Sequence, residues 1–190
     1  MHHHELTYSL SLPVIETGPG ARESVYREVH ACVVGALRDF GVVSTAYRDT
    51  ALANLQRQDS AGTRPAAMGL RADEKTAHEP FLCFQRRTDE DLICSGYKIM
   101  GSAQRRVRGG VLQHGSLLMR ASAHANVLPG VTNLAAVEID AGLISRLIAD
   151  RVGRALSIDW EAGDLSDSEL TTSERIRAER YAADAWTRRR

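Results

Sequence analysis

Cys83 and Lys98 are the two residues of this 190-residue chain whose types and spacing could carry out chemistry together. A cysteine thiolate is a nucleophile, and a nearby ammonium group favours the thiolate and can hydrogen-bond a carbonyl oxygen as negative charge develops on it. The chain makes two predicted turns between the two residues, so it can return the lysine to the neighbourhood of the cysteine. We predict acyl transfer, with a buried inert thiol and a solvated lysine as the simpler alternatives.

Histidines give competing hypotheses. His114 could act as a base for Cys83, as in a thiol hydrolase, although no acidic residue is obviously placed to orient its ring. The run "HHHE" at 2–5 could suggest a metal site, but adjacent residues on a strand point to opposite faces and cannot all reach one ion. The three histidines could also be the remnant of a purification tag. We predict no metal site.

Small residues stand where a plain sheet would use Val and Ile. Such residues are poor strand fillers because they give up side-chain packing, and glycine in a strand often marks the close approach of another group. The pattern predicts room for a lipid or a peptide, with a bend or bulge in a twisted hairpin as the alternative. The residues are Gly101, Ser102, Ala103, Gly115 and Ser116.

A meander of strands carries these residues. The pattern predicts short strands at 80–84 and 92–94 and a hairpin from "YKIMGSAQRR" to "VLQHGSLLM", with tight turns at Ser95–Gly96 and Gly109–Gly110. A two-residue loop at Gly109–Gly110 would place Ser102 opposite Leu117 and Arg106 opposite Gln113. Strict alternation would put one set of side chains on a single face, and a slip of one residue would reverse it. That set is Lys98, Met100, Ser102 and Gln104.

The flanking segments complete the predicted fold. Residues 5–12 alternate as a strand, and Ser24 opens an amphipathic helix that runs to about Phe40 and stops at Gly41. The polar stretch 55–79 predicts a mobile loop, and the chain after Pro129 predicts helices. We therefore predict an α+β fold in which a mixed, mostly antiparallel sheet is packed by helices.

Composition excludes several classes of function. The 24 basic and 24 acidic side chains cancel, which gives the chain no electrostatic reason to bind nucleic acid or an anionic membrane. No run approaches the roughly 18 apolar residues of a membrane span, and the N-terminus lacks the apolar core of a signal peptide. The 3 cysteines contain no CxxC pair. We predict a cytoplasmic protein with reduced thiols.

Five motifs in chain order resemble the biotin/lipoate protein ligase superfamily: "HELTYSLSLP", "CF" at 83–84, "GYKIMGSAQRR", "LQHGSLLM" and "ERYAADAW". They are most similar to the octanoyltransferases of lipoic acid synthesis that carry their cysteine ahead of the lysine strand. The resemblance implies a partial catalytic domain over residues 1–155, with residues 156–190 as a helical segment packed on it. Relatives have a basic, Gly-rich segment upstream of the first strand, so we expect an N-terminally truncated chain. The loop "QRRTDED" after Cys-Phe also departs from the family pattern.

The resemblance implies residue roles and partners. Cys83 would accept an octanoyl group from octanoyl-acyl carrier protein, and Lys98 would position and polarise the acyl carbonyl. The acceptor would be a lysine of a lipoyl domain or of glycine cleavage H protein. No cofactor is implied, because the donor thioester already stores the energy. Substrate contacts are implied for His4, Gly101, Ser102, Ala103, Gln104, Gln113, His114, Gly115 and Ser116.

Two other functions remain open at the level of sequence. An ATP-dependent lipoate-protein ligase would keep the lysine but would not need Cys83. A non-catalytic fragment would bind acyl groups or lipoyl domains without forming a covalent adduct.

Overall fold

The computed structural model describes residues 3–13, 21–51, 83–107 and 109–188, and the predicted loop at 55–79 lies outside these ranges. The chain divides into two compact units, Met1–Ile158 and Asp159–Arg190. Each unit is described by itself below.

The first unit is built on one five-stranded sheet with the strand order β1-β5-β4-β3-β2. All four strand pairings are antiparallel, and helices accompany the sheet, which confirms the predicted α+β class. The predicted strand at 5–12 and the turn at Ser95–Gly96 are confirmed, and both turn residues have positive φ, at 47° and 82°. The strands are β1 Glu5–Pro13, β2 Thr45–Ala46, β3 Leu92–Cys94, β4 Tyr97–Val107 and β5 Gly110–Leu118.

The β4–β5 hairpin has a different register from the predicted one. Val107 pairs with Gly110, so Ser102 lies opposite Gly115 rather than Leu117, and Arg106 lies opposite Val111 rather than Gln113. The difference is two positions, and two is the period of a strand, so Met100, Ser102 and Gln104 keep the shared face predicted for them.

A bulge in β4 changes the face of Lys98. Leu92 pairs with Met100 and the next residue, Ile93, pairs with Lys98, which leaves Ile99 as an extra residue in β4. Ile99 and Met100 are both buried, and the Lys98 side chain lies beside Gly101. The prediction that Lys98 shares a face with Met100 and Ser102 is therefore wrong, because the bulge interrupts the alternation.

Helices cover the face of the sheet that carries Met100 and Leu117. The apolar stripe of α1 (Ala21–Asp39) buries Val33 and Leu37 in the main core, and α3 (Ala141–Leu156) contributes Ile144. Short helix α2 (Val131–Ala135) adds Val131. We call this covered side of the sheet the inner face and the opposite side the outer face.

Capping interactions define the C-terminal end of α1 and the N-terminal end of α3. Helix α1 ends at Asp39, close to the predicted stop at Gly41, whose φ of 78° reverses the chain and lets the amide of Val42 donate to the carbonyl of Leu37 at 3.0 Å. Helix α3 starts at Asp140, whose carboxylate accepts the amide of Leu143 at 2.7 Å.

The second unit is helical. Helix α4 (Asp167–Ile176) starts with a capping box between Ser166 and Glu169, and it continues as a π-helical turn at Arg177–Tyr181 before α5 (Asp184–Thr187). The rings of Tyr181 and Trp186 meet edge to face with centroids 5.0 Å apart. The packing of this segment on the first unit stays a prediction. Among the helices in the described ranges, none is long and apolar enough to cross a membrane.

A substitution of Gly115 tests the close packing of β1, β4 and β5 on the inner face. A Cβ at this position would overlap Ser102 Oγ and the Tyr8 ring and lie 2.9 Å from the carbonyl oxygen of Gly101. We expect Gly115→Ala to lower the free energy of unfolding by about 1–3 kcal/mol, because neither strand can move away freely. Urea denaturation measures the change.

Gly163→Ala is the matched control for this substitution, since a Cβ there meets no atom within 4 Å. Equal stability of Gly115→Ala and the wild type would contradict the close packing of β1, β4 and β5 at this point.

Candidate functional site

Lys98 lies at the beginning of β4, where the bulge turns its side chain to the outer face. Its amine lies 2.8 Å from Asp91 Oδ2, and it donates to the backbone carbonyls of Arg86 at 3.1 Å and Cys83 at 3.3 Å. The side chain is only 10% exposed. Three acceptors surround the nitrogen, so the three N–H bonds of an ammonium group are all used.

Asp91 is the partner that makes this buried ammonium possible. Its side chain is 4% exposed, and Oδ2 also accepts the backbone amide of Thr88 at 2.6 Å. Gly101 leaves the space for the pair, because a Cβ there would come within 2.8 Å of Lys98 Cε and 3.2 Å of Asp91 Oδ1. The need for glycine at position 101 therefore comes from the ion pair that packs against it.

Cys83 opens a short 3-10 helix, Cys83–Gln85, and its side chain is exposed. The predicted strand at 80–84 is therefore wrong for its two described residues, Cys83 and Phe84. The 3-10 turn directs the Cys83 carbonyl at the Lys98 amine, and the Phe84 ring lies 5.6 Å from that amine. The structure thus brings the lysine amine to the backbone of the cysteine residue.

The other predicted site residues of β4 and β5 divide between the two faces. Residues that alternate in step with the pair Met100 and Leu117 face the helices, and those in step with the pair Gly101 and Ser116 face outward, because alternation is regular after the bulge. The inner set is Ser102, Gln104, Gln113 and Gly115, and the outer set is Gly101, Ala103, His114 and Ser116.

The two sets differ in their surroundings. On the outer face Ala103 and His114 are exposed, while Ser116 donates a short hydrogen bond to Glu5. On the inner face Gln113 is 0% exposed and is held entirely within the protein. Ser102 and Gln104 of the inner face are half-buried, as Gly101 of the outer face is, so exposure is greatest at Ala103 and His114.

His4 lies at the same end of the sheet as Lys98. It precedes β1, and its carbonyl accepts the amide of Met119 at 3.0 Å, just beyond the end of β5. Its ring packs against that of His3, tilted by 35°, with centroids 3.7 Å apart. Desolvation, followed by the charges of His3 and Arg120, lowers the pKa of His4.

A chain of hydrogen bonds runs through the inner face. Gln104 Nε2 donates to Gln113 Oε1 at 2.7 Å, Gln113 Nε2 donates to the Tyr8 hydroxyl at 2.7 Å, and that hydroxyl lies 2.8 Å from Ser102 Oγ. From Ser102 the chain continues to His30 Nε2 at 2.7 Å. A buried polar network of this kind is tolerated because its members satisfy one another.

His30 is the last member of this series of hydrogen bonds, and it contacts the backbone of Glu90, directly before Asp91. Its Nδ1 lies 2.6 Å from the carbonyl oxygen of Glu90, and the neighbouring Tyr26 hydroxyl donates to the carbonyl of Ser102. Sequence reasoning missed Tyr8, Tyr26, His30 and Asp91. Tyr26 and His30 are four positions apart on α1, which was the one available signal that they share a face.

Within the described ranges, no three His, Cys, Asp or Glu side chains are grouped so that they could hold a metal ion.

Comparison with known proteins identifies the family. Residues 1–137 match the model of the lipoyl protein ligase A/B catalytic domain, so the chain belongs to this family. It is 26% identical over 212 residues to the octanoyltransferase LipM of Kyrpidia tusciae, covering 100% of this chain and 70% of that protein. It is 27% identical over 209 residues to LipM of Lysinibacillus sphaericus, covering 98% of this chain and 69% of that protein.

Solved structures share the fold. The bi-partite lipoate protein ligase of Thermoplasma acidophilum superposes with a TM-score of 0.60 at 15% identity, covering 96% of this chain and 63% of that chain. A lipoate-protein ligase A bound with ATP superposes with a TM-score of 0.58 at 15% identity, covering 96% and 64%. The chain therefore spans somewhat less than two thirds of the length of these structural relatives.

The buried histidine predicts a pH dependence of stability. Burial lowers the pKa of His30 below 6.5, against the opposing influence of Glu90 and Asp91 and with a further lowering by Arg48. The unfolded chain therefore binds more protons than the folded chain between the folded pKa and 6.5. The stabilising contribution of neutral His30 is complete above 6.5 and is lost as the pH falls through that window.

We expect the free energy of unfolding to decrease less on acidification from about pH 7.5 to about pH 5.5 in His30→Gln than in the wild type. Urea titrations across this range measure it, and His124→Gln, at an exposed position, is the control. Parallel pH curves for His30→Gln and the wild type would show that His30 is not held neutral.

Proposed function

We propose that this chain is an octanoyltransferase of lipoic acid synthesis that moves an octanoyl group through a thioester on Cys83. The observation that carries the proposal is the 3.3 Å hydrogen bond from the Lys98 amine to the carbonyl of Cys83, which puts a buried cation beside an exposed thiol residue. The similarity to proteins named octanoyltransferase LipM over the full length of this chain supports it.

The first half-reaction is a thioester exchange. The Cys83 thiolate attacks the carbonyl carbon of octanoyl-acyl carrier protein, the C–S bond to the carrier breaks, and the carrier thiolate leaves and takes up a proton. Negative charge develops on the carbonyl oxygen during the attack. The Lys98 ammonium is the group of the described site that can stabilise this charge.

The hydrogen bonds of Lys98 indicate how it would do so. Asp91 holds the amine at 2.8 Å and Arg86 at 3.1 Å, while the bond to Cys83 is the longest at 3.3 Å. The bond to the Cys83 carbonyl is the weakest of the three, so it is the one that exchanges for the substrate oxygen. The other two acceptors keep the nitrogen in place.

The second half-reaction transfers the group to an amine. A deprotonated lysine of the acceptor attacks the thioester, the amide bond forms, the Cys83–acyl bond breaks, and the proton from the amine leaves with the Cys83 thiol or solvent. Because the carrier leaves before the acceptor reacts, the kinetics are ping-pong. No ATP is consumed, since the donor thioester supplies the free energy.

The acceptor is a lipoyl domain or glycine cleavage H protein, and the donor is octanoyl-acyl carrier protein. The structural relative from Thermoplasma acidophilum was studied with its E2 lipoyl domain, which supports a lipoyl-domain acceptor. The acyl chain lies on the outer face along Gly101, Ala103 and Ser116, against the Lys98 side chain that fills the space at Gly101. Substrate contacts by the inner residues Ser102, Gln104 and Gln113 stay a prediction.

Cys83→Ser tests the nucleophile. We expect the wild type, incubated with octanoyl-acyl carrier protein and no ATP, to gain the mass of one octanoyl group that hydroxylamine removes. Cys83→Ser should gain no such adduct, because a serine hydroxyl is a far weaker nucleophile than a cysteine thiolate. Intact-mass spectrometry measures both, and Cys32→Ala, which removes a buried thiol, should keep the adduct.

The same experiment separates the alternatives. A Cys83→Ser protein that still modifies a lipoyl domain, with octanoate and ATP, would identify a ligase instead. A wild type that binds but never carries the adduct would identify a non-catalytic fragment.

Lys98→Met tests the electrostatic role. We expect acylation of Cys83 to slow about 100-fold, which is the usual effect of removing one oxyanion donor. The time course of the mass adduct measures the rate. The substitution also leaves Asp91 buried without its cation, so the double variant Asp91→Asn/Lys98→Met is needed to separate lost chemistry from lost folding.

Lys75→Met is the control, because Lys75 and Lys98 are the two lysines of the sequence. If the folded double variant acylates Cys83 within about threefold of the wild-type rate, Lys98 does not stabilise the reacting carbonyl.

A further inference from the structure

The two segments that flank Lys98 are both fastened to helix α1 through the inner face. One is the segment leading to Asp91, which His30 holds at the carbonyl of Glu90. The other is Ser102, next to Gly101, which His30 and Tyr26 hold at the side chain and at the carbonyl. Asp91 and Gly101 are the residues in direct contact with the Lys98 side chain.

We propose that His30 is a positioning residue for Lys98, acting as a neutral imidazole that holds the Glu90–Asp91 segment and Ser102 in fixed relation. The proposal rests on the proposed function for the role of Lys98 in catalysis, and it assigns to the inner face a task in the reaction on the outer face.

The hydrogen-bond partners fix a single tautomer of His30. The Glu90 carbonyl can only accept, so Nδ1 carries the hydrogen and donates. Nε2 of the neutral ring then accepts from Ser102 Oγ.

This tautomer gives the whole series of hydrogen bonds a single donor-to-acceptor direction. With its own hydrogen given to His30, Ser102 Oγ is an acceptor for the Tyr8 hydroxyl, and that hydroxyl is in turn an acceptor for Gln113 Nε2. Each hydroxyl donates once along the chain. A proton on Nε2 would place two donors against Ser102 Oγ and interrupt this order.

A purely structural role would be served better by an apolar residue. His30 is 2% exposed in a helix whose neighbours Val29 and Val33 are equally buried, and an imidazole there must be desolvated. Its two hydrogen bonds compensate that cost, and both end on segments that hold Lys98. Displacement of a positioning group by about 1 Å can lower a rate about 100-fold, so the fastening has a direct catalytic consequence.

Two amide substitutions separate the two hydrogen bonds of His30. The Asn amide nitrogen occupies nearly the place of Nδ1, so His30→Asn keeps the donor to Glu90 and loses the acceptor for Ser102. Gln extends one bond further, so His30→Gln keeps a group near Nε2 and loses the donor to Glu90. Asn is smaller than Gln by one methylene, so any effect of lost volume is larger in His30→Asn, the variant that keeps the donor to Glu90.

The first readout does not depend on activity. Lysine labelled with 15N at the ε-position, in a Lys75→Arg background, leaves Lys98 as the single side-chain signal. We expect the ammonium hydrogens of Lys98 to exchange with water about tenfold faster in His30→Gln than in the wild type, and at nearly the wild-type rate in His30→Asn. Equal exchange in all three proteins would overturn the proposal.

The second readout is the rate of Cys83 acylation by octanoyl-pantetheine. We expect the maximal rate constant of acylation to fall about tenfold or more in His30→Gln, with the half-saturating donor concentration within twofold of wild type. In His30→Asn the maximal rate constant should stay within about threefold of wild type. A change confined to the half-saturating concentration, or equal losses in both variants, would contradict positioning through Glu90.

Val33→Ala is the matched control, because it destabilises α1 from an equally buried position without touching the hydrogen-bond chain. If it accelerates Lys98 exchange as much as His30→Gln does, the effect is one of stability and the proposal fails. A wild type that forms no adduct, with slow Lys98 exchange that His30→Gln accelerates, would reject the proposed function and leave the positioning contact standing.

Discussion

The buried ion pair between Lys98 and Asp91 is the interaction on which the site depends. Both side chains are nearly removed from solvent, at 10% and 4% exposure, and a charge of either sign left alone there would cost several kcal/mol. The pair is therefore compatible with folding only if its remaining hydrogen-bonding groups are also satisfied. The amide of Thr88 and the carbonyls of Cys83 and Arg86 fulfil that requirement.

Two glycines on adjacent strands make space on opposite faces of the sheet. Gly101 of β4 admits the Lys98 side chain on the outer face, and Gly115 of β5 admits Tyr8 and Ser102 on the inner face. The unusual composition of the hairpin thus has two separate causes. On one face the space accommodates an ion pair, and on the other it accommodates a polar chain inside the core.

The inner face combines an apolar core with a directional hydrogen-bond chain. Met100 and Leu117 pack with α1 in the same layer that holds Gln113 and His30. An apolar layer can repack at small cost, whereas a chain in which each donor has one acceptor specifies one arrangement. That difference explains how helix α1 on the inner face can determine the position of Lys98 on the outer face.

Local patterns in the sequence determined strands β1, β3, β4 and β5, the α1 helix, the Ser95–Gly96 turn and the resemblance to the family, because all of these are encoded within short stretches of chain. The predicted strand at 80–84 was wrong, because residues 83–85 form a 3-10 turn. The candidate pair Cys83 and Lys98 also came from residue types and spacing. The partner of Lys98 did not, since Asp91 is one of many acidic residues and only the folded chain selects it.

Tertiary structure alone decided the bulge in β4, the register of the β4–β5 hairpin and the hydrogen-bond series of the inner face. The bulge exists because the core takes both Ile99 and Met100, and that demand comes from helices far away in the sequence. The two-residue shift of the hairpin brought Ser102 beside Gly115, and α1 brought His30 and Tyr26 to Ser102. Periodicity carries information about neighbours along the chain, whereas these contacts join residues that meet only when helix and sheet pack.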